Sequence, residues 1–165
     1  MNFNRQDIQW GPVALGWIVS VVAFIIIGLI LGALGLLGTD SATADGTIGA
    51  GAFIGAMIVG FLAHAVGGYV AGRRAGVNGP LNGVMVAVFG LVVVIILSII
   101  IGIFGAIFFS GQGSAGTPGF LGYASGSFIS VLINFIFNAL GGYVGGRVSG
   151  STASSGGSGR PSRVR

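Results

Sequence analysis

The chain alternates long apolar blocks with short polar connections, and the blocks set the expected architecture. Four runs dominated by Val, Ile, Leu, Phe, Ala and Gly span approximately Val13–Leu37, Ile48–Ala71, Val84–Phe109 and Ser125–Val144. Each is close to the roughly 20 residues a helix needs to cross bilayer hydrocarbon. The third is the most apolar, interrupted only by Ser98 and a few glycines; its Val, Ile, Leu and Phe residues each favour insertion by about 0.3–0.6 kcal/mol. The second and fourth are weaker, because one carries His64 and the other Asn134 and Asn138 among their glycines. The pattern predicts an all-α, polytopic membrane protein. Residues 1–12 form a cytoplasmic flank, 13–148 a four-helix transmembrane bundle, and 149–165 a basic Gly/Ser-rich tail. Such a tail has nothing to bury and is expected to be a disordered coil.

Composition sharpens this reading. A soluble chain carries about 25% charged residues; here the figure is 6%, with 53% hydrophobic residues and a mean hydropathy of +1.00. So few charges cannot cover a water-facing surface. The absence of cysteine excludes disulfides, thiolate metal sites, thiol nucleophiles and palmitoylation. Ala42-Thr43-Ala44 resembles a signal-peptidase site, but the apolar block before it is longer than the 7–15 residues of a signal h-region, so the first helix is expected to be retained.

All seven basic residues are arginines: Arg5, Arg73, Arg74, Arg147, Arg160, Arg163 and Arg165. They precede the first block, separate the second from the third, and follow the fourth. The connections Gly38–Thr47 and Ser110–Tyr123 have none, and the first holds Asp40 and Asp45. Basic residues in short loops stay cytoplasmic, so both termini are expected on the cytoplasmic side of a cell (inner or plasma) membrane. Trp10 and Trp17 flank the first membrane entry, where indole rings favour the interface. The net charge of +4 reflects these helix-end arginines. No basic helix or aromatic-interleaved patch lies outside the blocks, so no nucleic-acid partner is expected.

The chain also repeats itself. Phe61–Gly76 reads FLAHAVGGYVAGRRAG and Phe135–Gly150 reads FIFNALGGYVGGRVSG, aligned without gaps at an offset of 74. The same offset brings Ile25-Ile26-Ile27-Gly28 onto Ile99-Ile100-Ile101-Gly102. One helical hairpin used twice is the implied plan. Both copies start and end inside, so they have parallel topology, related by an axis along the membrane normal; this counts against the inverted-repeat plan of many transporters.

A stripe runs through each copy. Along helix two, Ala52, Ala56, Gly60, His64, Gly68 and Gly72 recur every four positions; along helix four the equivalents are Gly126, Ser130, Asn134, Asn138, Gly142 and Gly146. Residues four apart share a helix face, and in lipid it is close backbone approach through small residues that favours helix association. Helices two and four are therefore expected to cross along these stripes near the pseudo-twofold axis, with helices one and three outside against lipid. The alternative use of the same seam is self-dimerisation.

His64, Asn134 and Asn138 form the expected intramembrane polar cluster. His64 lies nine residues before Arg73, about 13 Å along a helix, and polar groups at such depth face the bundle interior or a water-filled cavity. Around a twofold axis His64 and Asn138 are placed to hydrogen-bond across the helices. A proton or ligand site is the alternative reading, since imidazole ordinarily titrates near neutrality. No intramembrane Asp, Glu, Lys or Arg is present to continue a relay, and one histidine does not make a metal site. Tyr69 with Arg73 and Arg74, and Tyr143 with Arg147, read as interface anchors, tyrosine at headgroup level and arginine snorkelling to phosphate. A headgroup or partner contact made twice is the sharper alternative.

Gly111-Gln-Gly113-Ser-Ala-Gly116 matches a dinucleotide-binding pattern, but it lacks the strand before and helix after that a phosphate cradle needs. No P-loop, metalloprotease or triad motif occurs, and the only acids are Asp7, Asp40 and Asp45. No catalytic residue, cofactor or metal is expected. The GGYVAGR and GGYVGGR elements, with the Asn82-Gly83 turn into a new apolar helix, resemble small bacterial and archaeal four-helix membrane proteins over most of Val13–Gly150. The resemblance implies the four-helix fold and no activity. The leading expectation is a non-enzymatic membrane protein, an accessory subunit or a self-associating bundle, whose partners are the lipid bilayer and either other membrane subunits or its own copies. A small transporter or channel using the His/Asn cluster is the alternative; membrane-embedded catalysis lacks the groups it would need.

Overall fold

A computed structural model describes residues 8–37, 50–108 and 128–154, and these are all-helical: α1 (Trp10–Ala33), α2 (Ala50–Ala75), α3 (Gly79–Phe108) and α4 (Phe128–Ser154). All four are long and apolar enough to cross a membrane. The shortest has 24 residues, about 36 Å at 1.5 Å per residue, against a hydrocarbon thickness of about 30 Å. Arg5, the connections holding Asp40, Asp45 and Gly111–Gly116, the stripe residue Gly126, and the tail arginines Arg160, Arg163 and Arg165 lie outside the described residues.

The helix ends follow local chemistry more closely than the apolar blocks do. Pro12 sits in the first turn of α1, where its missing N–H has no intrahelical partner to lose, so the helix opens at Trp10 ahead of the apolar run. It closes at Ala33, short of Leu37, because Gly35 turns left-handed at φ +68. Leu36 N–H then reaches back to the Leu31 carbonyl at 2.9 Å and Gly35 N–H to Gly32 at 3.0 Å, the paired bonds of a Schellman ending. Helix α2 also stops at a left-handed glycine, Gly76, φ +67, whose N–H makes a single bond to the Gly72 carbonyl at 3.3 Å, the simpler αL ending. Asn78 is also left-handed, at φ +43, and Pro80 lies in the first turn of α3.

The α2–α3 connection is therefore only Gly76–Asn78. Asn82 and Gly83, expected as a turn, belong to α3, which begins at Gly79 rather than near Val84. At the equivalent point of the second copy, Gly150 is followed by Ser-Thr-Ala-Ser instead of a proline, and α4 continues to Ser154. The start of the expected coil tail is thus helical. Ser149 anchors this turn: it is buried, and its hydroxyl donates to the Gly146 carbonyl at 2.6 Å.

The two glycines should respond differently to substitution. Neither has a neighbour within 4 Å of an added Cβ, but only Gly76 has positive φ. Gly76→Ala is expected to cost about 1 kcal/mol from left-handed strain in detergent unfolding titrations. Gly150→Ala should be neutral or slightly stabilising.

The most extensive helix contact is α2 with α4; α2 also packs on α1 and α3, and α3 on α4 and α1. The buried face of α2 is Gly60, Ala63, His64, Gly67, Gly68, Ala71 and Gly72, flanked by Gly55, Val59 and Ala75. Large aliphatic side chains instead point outward: Leu29 is 70% exposed and Ile129 65%. A small apolar core of Val13, Ala71 and Val86, extended by Trp17, Met85 and Phe89, joins α1, α2 and α3 at one end of the bundle.

Candidate functional site

The seam between α2 and α4 is built by backbone meeting backbone. A Cβ on Gly68 would strike the Gly142 carbonyl, and one on Gly72 would stand 3.0 Å from Gly146 Cα. Both pairs differ by 74, the offset of the sequence repeat. Higher on the seam, Gly60 leaves room for the Asn138 amide, whose Oδ1 occupies the space a Cβ would take. All these contacts lie within one chain. Helix α3 joins the same crossing, because Cβ atoms on Gly79 and Gly83 would meet the Gly146 and Gly142 carbonyls, and the reverse also holds. Gly142 and Gly146 are thus clasped between two helices.

The repeated Gly-Gly pair now has a physical explanation. Successive helical residues point about 100° apart, since one turn takes 3.6 residues, so adjacent glycines open two faces. Gly67 faces α1, where it and Gly16 approach through each other's carbonyls, while Gly68 faces α4. In the second copy Gly141 lies over the Phe61 carbonyl of α2 and Gly142 against α3. The two hairpins do not pack alike. Gly16 meets Gly67, but its equivalent Gly90 lies under the Trp17 indole instead of against Gly141.

Ser130 is half-buried, and Asn134, Asn138 and His64 are all buried. The expected bond between His64 and Asn138 is not made. His64 Nδ1 donates to the Gly60 carbonyl at 2.9 Å, and Asn138 Nδ2 donates to Asn134 Oδ1 at 2.9 Å. Each bonds one turn back on its own helix: the imidazole lies among Trp17, Ser20 and Gly90 of α1 and α3, whereas the Asn138 amide lies over Gly60. Asn138 Oδ1 has no hydrogen-bond partner among the described residues; its contact with Gly60 is at best a weak Cα–H···O interaction.

The residues expected as interface anchors also divide. Trp10 is exposed, whereas Trp17 is held inside the α1–α3 contact, edge-on to Phe89 with centroids 5.7 Å apart. Arg73 donates to Tyr69 Oη at 2.8 Å and lies 6.0 Å above the same ring. Arg74, Tyr143 and Arg147 are exposed. Arg73 and Arg74 close the last turn of α2, where positive charge complements the helix dipole.

Asn82 emerges as a structural residue that apolar patterning could not single out. It is fully buried. Its Oδ1 accepts from the Gln9 backbone N–H at 2.9 Å, and its Nδ2 donates to the Val77 and Asn78 carbonyls at 3.0 and 3.2 Å. One amide therefore pins the start of α1 to the α2–α3 turn. Asn82→Ala should destabilise the bundle by about 1–3 kcal/mol, the cost of leaving such buried groups unpaired, measured by unfolding in mixed micelles.

Among the described residues, no group of three or more His, Cys, Asp or Glu could hold a metal. No family model, curated protein or solved structure matches the chain.

Proposed function

We propose that this is a non-enzymatic, multi-pass membrane protein with both termini and the α2–α3 turn in the cytoplasm, acting as a structural or accessory subunit or as a self-associating bundle. The observation that carries the reading is the reversed polarity of the helices. Leu29, Ile129, Ile99 and Ile103 are more than half exposed, while Asn134 and Asn138 are 3% and 1% exposed. An outer surface so apolar is suited to lipid or to another membrane subunit and unsuited to water. An interior of glycine and hydrogen-bonded amides is how helices associate where apolar burial gives no advantage. The duplicated hairpin belongs to the same reading, supported by the Gly68–Gly142 and Gly72–Gly146 contacts at the repeat offset. The conducting alternative finds less support, because His64 and the two asparagines are not joined into one polar path.

Since the glycine seam is occupied within the chain, a partner would have to use an outward ridge such as Ile54, Ile58, Leu62 and Val66 on α2, all exposed. The test is gentle solubilisation of the tagged protein from its native membrane with mass spectrometry of co-purifying proteins. A stoichiometric partner, released by Ile58→Ala with Leu62→Ala, is the expected result for an accessory subunit, and a homo-oligomer is expected for a self-associating bundle. Purification as a lone monomer would overturn both.

A further inference from the structure

A small cavity of about 20 Å³ lies between α1, α2 and α3, walled by Trp17, Ser20, Phe24, His64, Gly90 and Val94. That is room for about one water molecule. The hydrogen bond to Gly60 fixes the imidazole: a carbonyl only accepts, so in the neutral ring Nδ1 carries the proton and Nε2 offers a lone pair. Nε2 points toward α3, 4.0 Å from where a Cβ on Gly90 would stand, and Trp17 Nε1 is 2.9 Å from the same point. The indole nitrogen can only donate, and the imidazole nitrogen can only accept. The two are at most 6.9 Å apart, the sum of those distances. Among the described residues, no hydrogen bond reaches either one. Ser20 cannot donate to His64 Nε2, because its one hydroxyl proton goes to the Trp17 carbonyl at 2.7 Å.

We propose that this cavity binds one water-sized molecule that accepts a hydrogen bond from the Trp17 indole and donates one to His64 Nε2. A single bridging atom bonded to both at about 2.9 Å spans up to about 5.8 Å, a separation that the two distances from the Gly90 position allow. Water and ammonia share the required chemistry of one acceptor and one donor. Gly90 is the gatekeeping residue, since any side chain there would occupy the space where the two nitrogens converge. The inference rests on helix packing and is independent of whether the chain has a protein partner.

The chain has a single histidine, so its ring signals need no assignment, and Trp10→Phe leaves one indole. In ¹⁵N-labelled protein in lipid nanodiscs, the neutral His64 ring is expected to be protonated at Nδ1 and bare at Nε2. The Trp17 indole N–H should show magnetisation transfer from water. Gly90→Ala should abolish that transfer, and Trp17→Phe should shift the Nε2 resonance, with helix content unchanged by circular dichroism. Adding ammonium chloride at fixed pH separates the two occupants: a displaced Nε2 resonance identifies ammonia, and an unmoved one identifies water. A protonated Nε2 in the neutral ring, or an indole N–H without contact to water or ammonia, would overturn the proposal. Should Gly90→Ala fail to fold, the Trp17→Phe shift decides alone, and its absence also overturns it.

Discussion

Gly142→Ala should be among the most damaging single-methyl changes in this chain, lowering stability by more than about 3 kcal/mol, at or beyond the upper end of the usual range for overpacking. The added Cβ meets the Gly83 carbonyl and comes within 2.9 Å of its carbon. Neither atom is the tip of a side chain that can rotate aside, so α3 must move bodily. On its other side, the Gly142 backbone fills the space beside Gly68, so α4 cannot retreat toward α2 to make room. Equilibrium unfolding in mixed micelles should show the loss. Gly11→Ala and Gly150→Ala, whose Cβ atoms would meet nothing within 4 Å, serve as controls and should change stability by no more than about 0.5 kcal/mol. A Gly142→Ala protein as stable as those controls would mean that the three-helix crossing is not formed.

The second large effect is expected where α1 seats on α2, in Gly16→Val. Even the first carbon would stand 2.6 Å from the Gly67 carbonyl oxygen, 2.8 Å from Ala71 Cβ and 3.0 Å from Val86 Cγ2. Valine adds two methyl groups to that crowding, in a helix where its χ1 is nearly fixed. The expected outcome is α1 levered off α2, with the Val13–Ala71–Val86 core opened and the Trp17 ring parted from Phe89, at a cost of about 3 kcal/mol. The crossing of α2, α3 and α4 does not involve Gly16 and should survive. With Trp10 replaced by Phe, Trp17 fluorescence reports α1 directly: its emission should change while most helix content is kept. An unchanged Trp17 spectrum in Gly16→Val would show that α1 is not seated in that groove.

These two sites show which parts of the packing could be read from the chain. The stripe through Gly60, Gly68 and Gly72 and its equivalents through Gly142 and Gly146 is visible because a spacing of four marks one helix face whatever the neighbours are. Gly79 and Gly83 were hidden because Gly-Pro-Leu-Asn-Gly reads locally as a turn. There the tertiary contact with α4 overrides the weak helix propensity of glycine, and α3 starts five positions before its apolar run. Gly16 was hidden for a different reason. The row of Gly16, Ser20, Gly28 and Gly32 is broken at its middle position by Phe24, and Gly67, the partner of Gly16, sits beside the more obvious stripe. The polar groups were legible as buried but not in their pairing. His64 and Asn138 occupy equivalent positions, which suggests a bond between them, yet each bonds one turn back on its own helix, the imidazole lying toward α1 and α3 and the amide over Gly60. Asn82 reads locally as a turn residue, whereas its side-chain hydrogen bonds tie together segments far apart in sequence.

The central claim, four membrane crossings with both ends inside, is open to a direct test because the chain has no cysteine of its own. Single cysteines would be placed at Val77, exposed in the α2–α3 turn, and at Ser41, in the connection after α1. Intact cells would then be treated with a membrane-impermeant maleimide. Labelling of Ser41→Cys is expected in intact cells, and of Val77→Cys only after the membrane is opened. Labelling of both in intact cells, or of Val77→Cys alone, would contradict that topology.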